Sequence, residues 1–351
     1  MPSIEKIKVS RVEFIDIAKG VAIIAMVLSH TYRGYDLRVV IYAFLMPLFF
    51  FISGLFFRPD KYNSFGIFIK NKARTLLLPF ICFYAISYVY WFFIERHIRQ
   101  NSISVNPLNP IIGLIYGTDY KYYMLPNGAL WFLTCLFTTE TLLFLIIKTI
   151  RKDVLIFITV LFIGISGYLI STFDVPKLPL SFNSSLIALF FTYSGYVLKN
   201  KISILEKANR LLLIFIGIML LSIMYFISLK NGMINMDYCK YFNPYMFMLA
   251  AFLGIFGILA ICKTLNTNFL LQYFGINSII ILGLSEPIKR IIIAVLSKIG
   301  SIPIDQIRLS IIYSIAVVSI TLIILVPIIY IFNTYLYAFI GKKKPIALVN
   351  N

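Results

Sequence analysis

Apolar runs of about 17–25 residues, the length a helix needs to cross a bilayer, recur from one end of the chain to the other with short polar stretches between them. Hydropathy places about ten spans, near residues 14–32, 39–57, 76–94, 128–148, 154–171, 184–199, 211–229, 243–262, 276–296 and 310–334. The pattern predicts an all-α, polytopic integral membrane protein with about ten transmembrane helices. It forms a single membrane domain over residues 1–351 that ends in a short basic tail, 335–351. No internal repeat is visible, so an inverted-repeat transporter gains no support from the sequence.

Composition agrees with the pattern. Of 351 residues, 60% are hydrophobic and 13% charged, against about 25% charged in an average soluble domain, and the mean hydropathy is +0.90. No room remains for a sizeable soluble domain. The net charge of +18 raises the question of nucleic acid. However, the basic residues are scattered over short loops rather than gathered on a soluble, aromatic-interleaved module. Their distribution instead suits membrane orientation. Lys6, Lys8 and Arg11, then Arg58, Lys61, Lys70, Lys72 and Arg74, then Lys148, Arg151 and Lys152, then Lys199, Lys201, Lys207 and Arg210, then Lys263, then Lys342, Lys343 and Lys344 fall on one side if the N-terminus is inside. The longest opposite loop, 95–127, holds only Arg96, Arg99 and Lys121. Both termini are therefore expected in the cytoplasm. The first apolar run has charges at its start and no small-residue cleavage site after it, so it reads as an uncleaved span. Cys82, Cys135, Cys239 and Cys262 show no metal spacing, and two histidines are too few to suggest zinc.

Charge inside apolar runs is the more informative signal, because an ionisable group in lipid is costly and usually faces an interior or a wet cavity. The first span, RVEFIDIAKGVAIIAMVLSHTYR, carries Asp16, Lys19 and His30. At about 100° per residue, Lys19 and His30 lie within about 20° of one another around the axis and about 16 Å apart along it, with Asp16 within about 60° of both. One stripe thus carries an acid, a base and an imidazole. The alternative is an Asp16–Lys19 ion pair at the membrane edge with His30 at the interface. The second span ends in MPLFFFISGLFF, where Ser53 and Gly54 admit close approach by another backbone or a ligand. Lys70, Lys72 and Arg74 stand two apart before the third span and would suit phosphate groups, or serve only topology. Trp131 opens the fourth span as a cavity or interfacial aromatic. Glu140 lies deeper and needs a partner such as Lys19, Arg74 or a substrate hydroxyl. Loop 95–127 is polar enough to face carbohydrate or merely to be hydrated, and His97 within ERHIR reads as a solvated surface residue. Glu286, Pro287, Lys289 and Arg290 interrupt the ninth span, either as a broken helix lining a cavity or as the end of the span.

In order along the chain, these segments resemble membrane-bound acyltransferase family 3, the bacterial O-acyltransferases that include fucose 4-O-acetylase-like and other polysaccharide O-acetyltransferases. The pieces are R-x-E-x-I-D-x-x-K-G ending in His30, F-F-F-I-S-G at 49–54, K-x-R-x-L-L-x-P-F at 72–80 and L-W-F-L at 130–133. The family's basic residue, ten intervening residues and histidine fall on Lys19 and His30. Many relatives have a histidine where this chain has Glu286, which leaves the role of that position open. The resemblance implies a multi-pass protein of the bacterial cytoplasmic membrane. It would transfer an acyl group, acetyl from acetyl-CoA, to a hydroxyl of a cell-surface or lipid-linked glycan, with no metal. A histidine with a pKa near 6.5 is the natural general base for an alcohol, so His30 is expected to deprotonate the acceptor or to carry the acyl group transiently. Lys19 would hold CoA phosphate or pair with Asp16, and Lys70, Lys72 and Arg74 would bind the CoA phosphates. Ser53, Trp131, Glu140 and Glu286 would line the substrate cavity. No esterase domain accompanies the membrane part, so the membrane part would complete the transfer. Two rivals are a transporter or flippase for a lipid-linked glycan and a non-catalytic partner in polysaccharide assembly.

Overall fold

The computed structural model describes residues 13–173, 175–202, 204, 208–265 and 268–343. Of the residues discussed above, Lys6, Lys8, Arg11, Lys207 and the basic tail from Lys344 onward lie outside these. The fold is helical, with 79% of residues in helices and no strand among the described residues. The long helices are α1 (Glu13–Thr31), α2 (Tyr35–Leu55), α3 (Phe65–Ile98), α4 (Leu108–Tyr116), α5 (Trp131–Thr149), α6 (Asp153–Thr172), α7 (Phe182–Leu198) and α8 (Arg210–Asn231). They continue with α9 (Pro244–Thr264), α10 (Phe269–Ile276), α11 (Ser278–Ile299), a short α12 (Ile304–Leu309) and α13 (Ile311–Thr334). Each expected span falls on one of these helices. Eight are long and apolar enough to cross a membrane. The other two expected spans fall on α7, which has only 17 residues, and on α11, whose apolar run is interrupted by Glu286, Lys289, Arg290 and Lys298.

Polar residues at the boundaries set where the helices start. The side chains of Asn209, Asn243, Asn268 and Ser310 accept hydrogen bonds from the backbone N–H of Leu211, Met246, Leu271 and Tyr313, and so cap α8, α9, α10 and α13. Pro244 follows its cap at a first-turn position, where no intrahelical donor is lost.

α1, α2 and α5 are the most buried long helices, whereas α6 and α8 keep most of their apolar surface outward. A helix apolar all round, as these two are, is at home only against lipid. Two glycine pairs draw the central helices together. A methyl group on Gly20 of α1 would run into the Leu271 carbonyl of α10, and one on Gly275 would run into the Asp16 carbonyl. Gly54 of α2 and Gly195 of α7 meet the carbonyls of Thr192 and Phe51 in the same way. Backbones pack this closely only where side chains are absent.

α3 is one continuous rod interrupted by π-helical turns at Ala73–Leu77 and Trp91–Glu95. Pro79, just beyond the first, has no N–H for the carbonyl four residues back, and π-turns occur disproportionately at functional sites.

The 95–127 loop differs from a hydrated connection. Tyr84 of α3 donates to the carbonyls of Pro110 (2.8 Å) and Tyr123 (2.5 Å), and Met124, Asn127, Ala129 and Leu130 are buried. The fully buried Asn127 amide donates to the Gly283 carbonyl of α11 (2.8 Å) and to the Ser87 hydroxyl of α3 (3.1 Å). The segment before α5 therefore enters the bundle between α3 and α11. Irregular backbone at that depth is tolerated only where side chains satisfy its polar groups.

Candidate active site

A cavity of about 250 Å³ lies among α1, α2, α3, α5 and α11. Its walls are mostly apolar and include Ile23, Met26, Met46, Phe49, Phe132 and Leu282. Lys19, Ser53 and Ser278 bring polar side chains to its lining. Lys19 is ion-paired with the buried Asp16 at 2.5 Å, one helical turn away. The sequence-predicted pair thus exists, and its lysine also faces the cavity.

Ser53 links this cavity to a second buried pair. Its hydroxyl donates to Glu140 Oε1 at 2.6 Å, while Lys72 Nζ sits 2.6 Å from Glu140 Oε2. The Glu140 side chain is 5% exposed and that of Lys72 18%. Glu140 thus finds its partners in Lys72 and Ser53 rather than in Lys19 or Arg74. The ammonium of Lys72 also lies near the rings of Phe57 and Phe68. Lys70 is exposed, and Arg74 is exposed with Nη2 donating to the Lys342 carbonyl at 2.9 Å. Of these three basic residues in the first turns of α3, one is turned inward and two outward.

His30 is half-buried near the other end of α1, one turn (about 6 Å) beyond Met26, and is not part of the cavity lining. Its Nδ1 lies 2.9 Å from the Met26 carbonyl oxygen. A carbonyl only accepts, so Nδ1 carries the proton and Nε2 is left with its lone pair. The ring also meets the edge of Tyr42, 6.1 Å away between centroids, and Tyr42 in turn lies under the Arg38 guanidinium at 5.6 Å. Helix geometry put Lys19 and His30 on one stripe, and the cavity between them stops at Met26.

Charges from distant parts of the chain surround His30. Glu286, Lys289 and Arg38 all act on it electrostatically. Glu286 is ion-paired with Lys289, whose side chain is 2% exposed, and with Arg290 at 3.1 Å. Arg290 also binds Glu95 (2.8 Å) and the carbonyls of Leu125 (3.3 Å) and Pro126 (3.2 Å), and Arg99 completes the Glu95 carboxylate at 2.8 Å. Arg290 thereby ties α11 to α3 and to the segment carrying Asn127. α11 runs unbroken through Pro287, so the ninth span neither ends nor breaks at Glu286. The charged run ERHIR proves divided, with His97 exposed and Glu95 buried.

Trp131 is buried at the start of α5, where its carbonyl accepts from Thr134 at 2.8 Å, and the neighbouring Phe132 lines the cavity in its place. Sequence reasoning missed Asn127 and Glu95 as structural members of this centre, although it singled out Lys289 beside Glu286 and Arg290. The signals were faint: an Asn-Gly step immediately before an apolar run, and an acid at the end of the apolar run 91–95.

The family model described as an acyltransferase domain matches residues 12–340, nearly the whole chain. The chain belongs to acyltransferase family 3. No curated protein and no solved structure matches it. Membership makes it a membrane acyltransferase that uses an acyl donor and an acceptor, within a bilayer that its apolar helices imply. For this acyltransferase, no group of three or more His, Cys, Asp or Glu side chains is placed to hold a metal ion among the described residues.

Proposed function

We propose that this acyltransferase moves an acetyl group from cytoplasmic acetyl-CoA to a sugar hydroxyl of a cell-surface or lipid-linked glycan, in the bacterial cytoplasmic membrane with both termini inside. The observation that carries the reading is the apolar cavity leading from Lys19 to Met26, whose carbonyl fixes His30 in the tautomer that leaves Nε2 free. The acyl end of the donor occupies the cavity. Its nucleotide remains at the cytoplasmic end, near the exposed Lys70 and Arg74, where Arg supplies a planar fork for phosphate. Lys19, held by Asp16, faces the donor from the cavity wall. Lys72, Glu140 and Ser53 form the adjoining wall and keep it rigid, with Trp131 buried at the start of the same helix as Glu140. Glu286, neutralised by Lys289 and Arg290, belongs to the acceptor side.

Chemically, the acceptor hydroxyl gives its proton to His30 Nε2 as its oxygen attacks the thioester carbonyl. The C–O bond forms, the C–S bond breaks, and the departing thiolate takes the proton back from the imidazolium. In a two-step version, Nε2 attacks the thioester and the C–S bond breaks as CoA leaves as thiolate; the acceptor oxygen then attacks the N-acyl imidazole, the C–N bond breaks, and the acceptor's proton passes by way of the freed imidazole to the thiolate. Base catalysis of the first kind contributes typically about 10²–10⁴-fold, and both routes need His30 within reach of the thioester.

Purified protein in lipid should release free CoA thiol from acetyl-CoA when given acceptor. His30→Ala should abolish this while eluting as a folded monodisperse species, and the exposed His97→Ala should change little. Turnover at the wild-type rate in His30→Ala would remove the histidine from the mechanism. Acceptor-dependent flux without CoA release would favour the transporter reading.

A further inference from the structure

Not every cation at this end of the bundle is paired. Arg33, Arg38, Arg99, Lys289, Arg290 and Arg308 lie here with the carboxylates Glu95, Glu286, Asp305 and, on the first turn of α2, the exposed Asp36. Glu95 and Glu286 are satisfied by Arg99, Arg290 and Lys289. Asp305 is exposed and lies 3.5 Å from Arg33. Arg38 and Arg308 remain without a carboxylate partner among the described residues, and the Nε of each is buried with no hydrogen bond. A buried guanidinium donor left unmatched is costly, and here there are two.

Their placement relates them to the imidazole. Arg38 stacks over Tyr42, and Tyr42 touches His30. Arg308 lies on α12, whose carbonyl at the same residue accepts from Arg33 N–H at 2.7 Å, three residues past His30. Burial and the nearby Arg33 push the Arg308 guanidinium down to about 10, as expected of a cation crowded by its own sign.

We propose that Arg38 and Arg308 hold an anionic group, phosphate or carboxylate, of the acyl acceptor, so that the acceptor carries a negative charge close to the hydroxyl that His30 serves. This rests on the acyl-transfer reading for its meaning, but the binding it demands is measurable without turnover. Arginine forks on an oxyanion give bidentate, charge-assisted bonds that a neutral sugar cannot form. Glu95 and Glu286, already neutralised by Arg99, Arg290 and Lys289, leave this end of the bundle basic.

The test uses the full chain in nanodiscs of phosphatidylcholine, titrated calorimetrically with inorganic pyrophosphate, glucuronate and, as a neutral control, glucose. Saturable binding of either anion, weakened by salt, is expected, with none for glucose. Arg38→Ala/Arg308→Ala should weaken that binding at least tenfold, and Arg38→Lys/Arg308→Lys should recover part of it. Elution of each variant as a folded species, together with the lysine pair, separates lost binding from lost fold. A second arm repeats the titration in discs containing phosphatidylglycerol. Unchanged affinity there supports an acceptor group, whereas loss of the site to the lipid assigns it to headgroups and overturns the proposal. Binding that survives the double alanine variant, or no binding of either anion, also overturns it. A protein that binds the anion but releases no CoA would refute the acyl-transfer reading alone.

Discussion

Replacing Lys72 with methionine isolates the energetics of the pair beside the cavity. Methionine keeps much of the stem that packs near Phe57 and Phe68 and removes only the ammonium. In the native protein the two charges lie 2.6 Å apart, which at an effective dielectric of 20 corresponds to about 6 kcal/mol of attraction before desolvation is subtracted. Desolvating both ions consumes most of that gain, so the pair as a unit contributes little. The single substitution behaves differently, because it strands a carboxylate that is 5% exposed with only the Ser53 hydroxyl to bind it. Stranding one member of a buried pair costs about 3–5 kcal/mol. Lys72→Met should therefore lose about that much in apparent unfolding free energy, read by SDS titration in mixed micelles. Adding Glu140→Leu should restore most of it, since no buried charge then remains. The double variant should fold, so its CoA release would report on the wall's contribution to catalysis separately from stability. If Lys72→Met proved as stable as wild type, or if the double variant were no better than the single, the account of this pair as a mutually dependent unit would be wrong.

Arg290→Met should destabilise the fold by about 3 kcal/mol or more. It removes bonds to Glu95 and Glu286 and leaves the carbonyls of Leu125 and Pro126 unanswered. Hydrogen exchange at residues 124–130 should rise with it, and unchanged protection would refute the tie. Asp237, buried in the loop before α9, has its carboxyl pushed up to about 7 by burial, partly offset by a 2.7 Å bond from Thr118 and reinforced by the charge of Asp119. Its proton is held to higher pH in the folded protein than the usual 3.8 of the unfolded chain. The folded form therefore binds more protons between these values. Stability should accordingly fall as pH rises from about 4 to about 7 and level off above. Asp237→Asn should flatten this slope in unfolding midpoints taken across that range, and an unaltered slope would refute the assignment.

The spans were legible because lipid imposes a single rule, burial of every backbone polar group inside a long apolar helix. The expected 154–171 and 211–229 fall almost residue for residue on α6 and α8. The Asp16–Lys19 pair was also legible, being three residues apart on one helix. What hydropathy cannot state is which helices meet. Glu140 lies 68 positions from Lys72, and nothing local to either residue announces the other. The same holds for Glu95 and Arg290, 195 positions apart, which read locally as a solvated run and a possible span end. The stripe argument located Lys19 and His30 on one face but could not foresee that the cavity closes at Met26. Its walls are completed by Met46, Phe49, Phe132 and Leu282 arriving from other helices.

The wedge around Asn127 has a consequence of its own. Its amide is clasped by α3 and α11, at the segment that leads into α5. A catalyst that admits a water-soluble cofactor from one compartment and a glycan from the other risks short-circuiting the ion gradient on which its cell depends. Here the backbone entering the bundle has its Tyr123, Leu125 and Pro126 carbonyls answered by the side chains of Tyr84 and Arg290. On the proposed acyl transfer, residues that perform no chemistry would thus close the bundle to water while the acyl group passes.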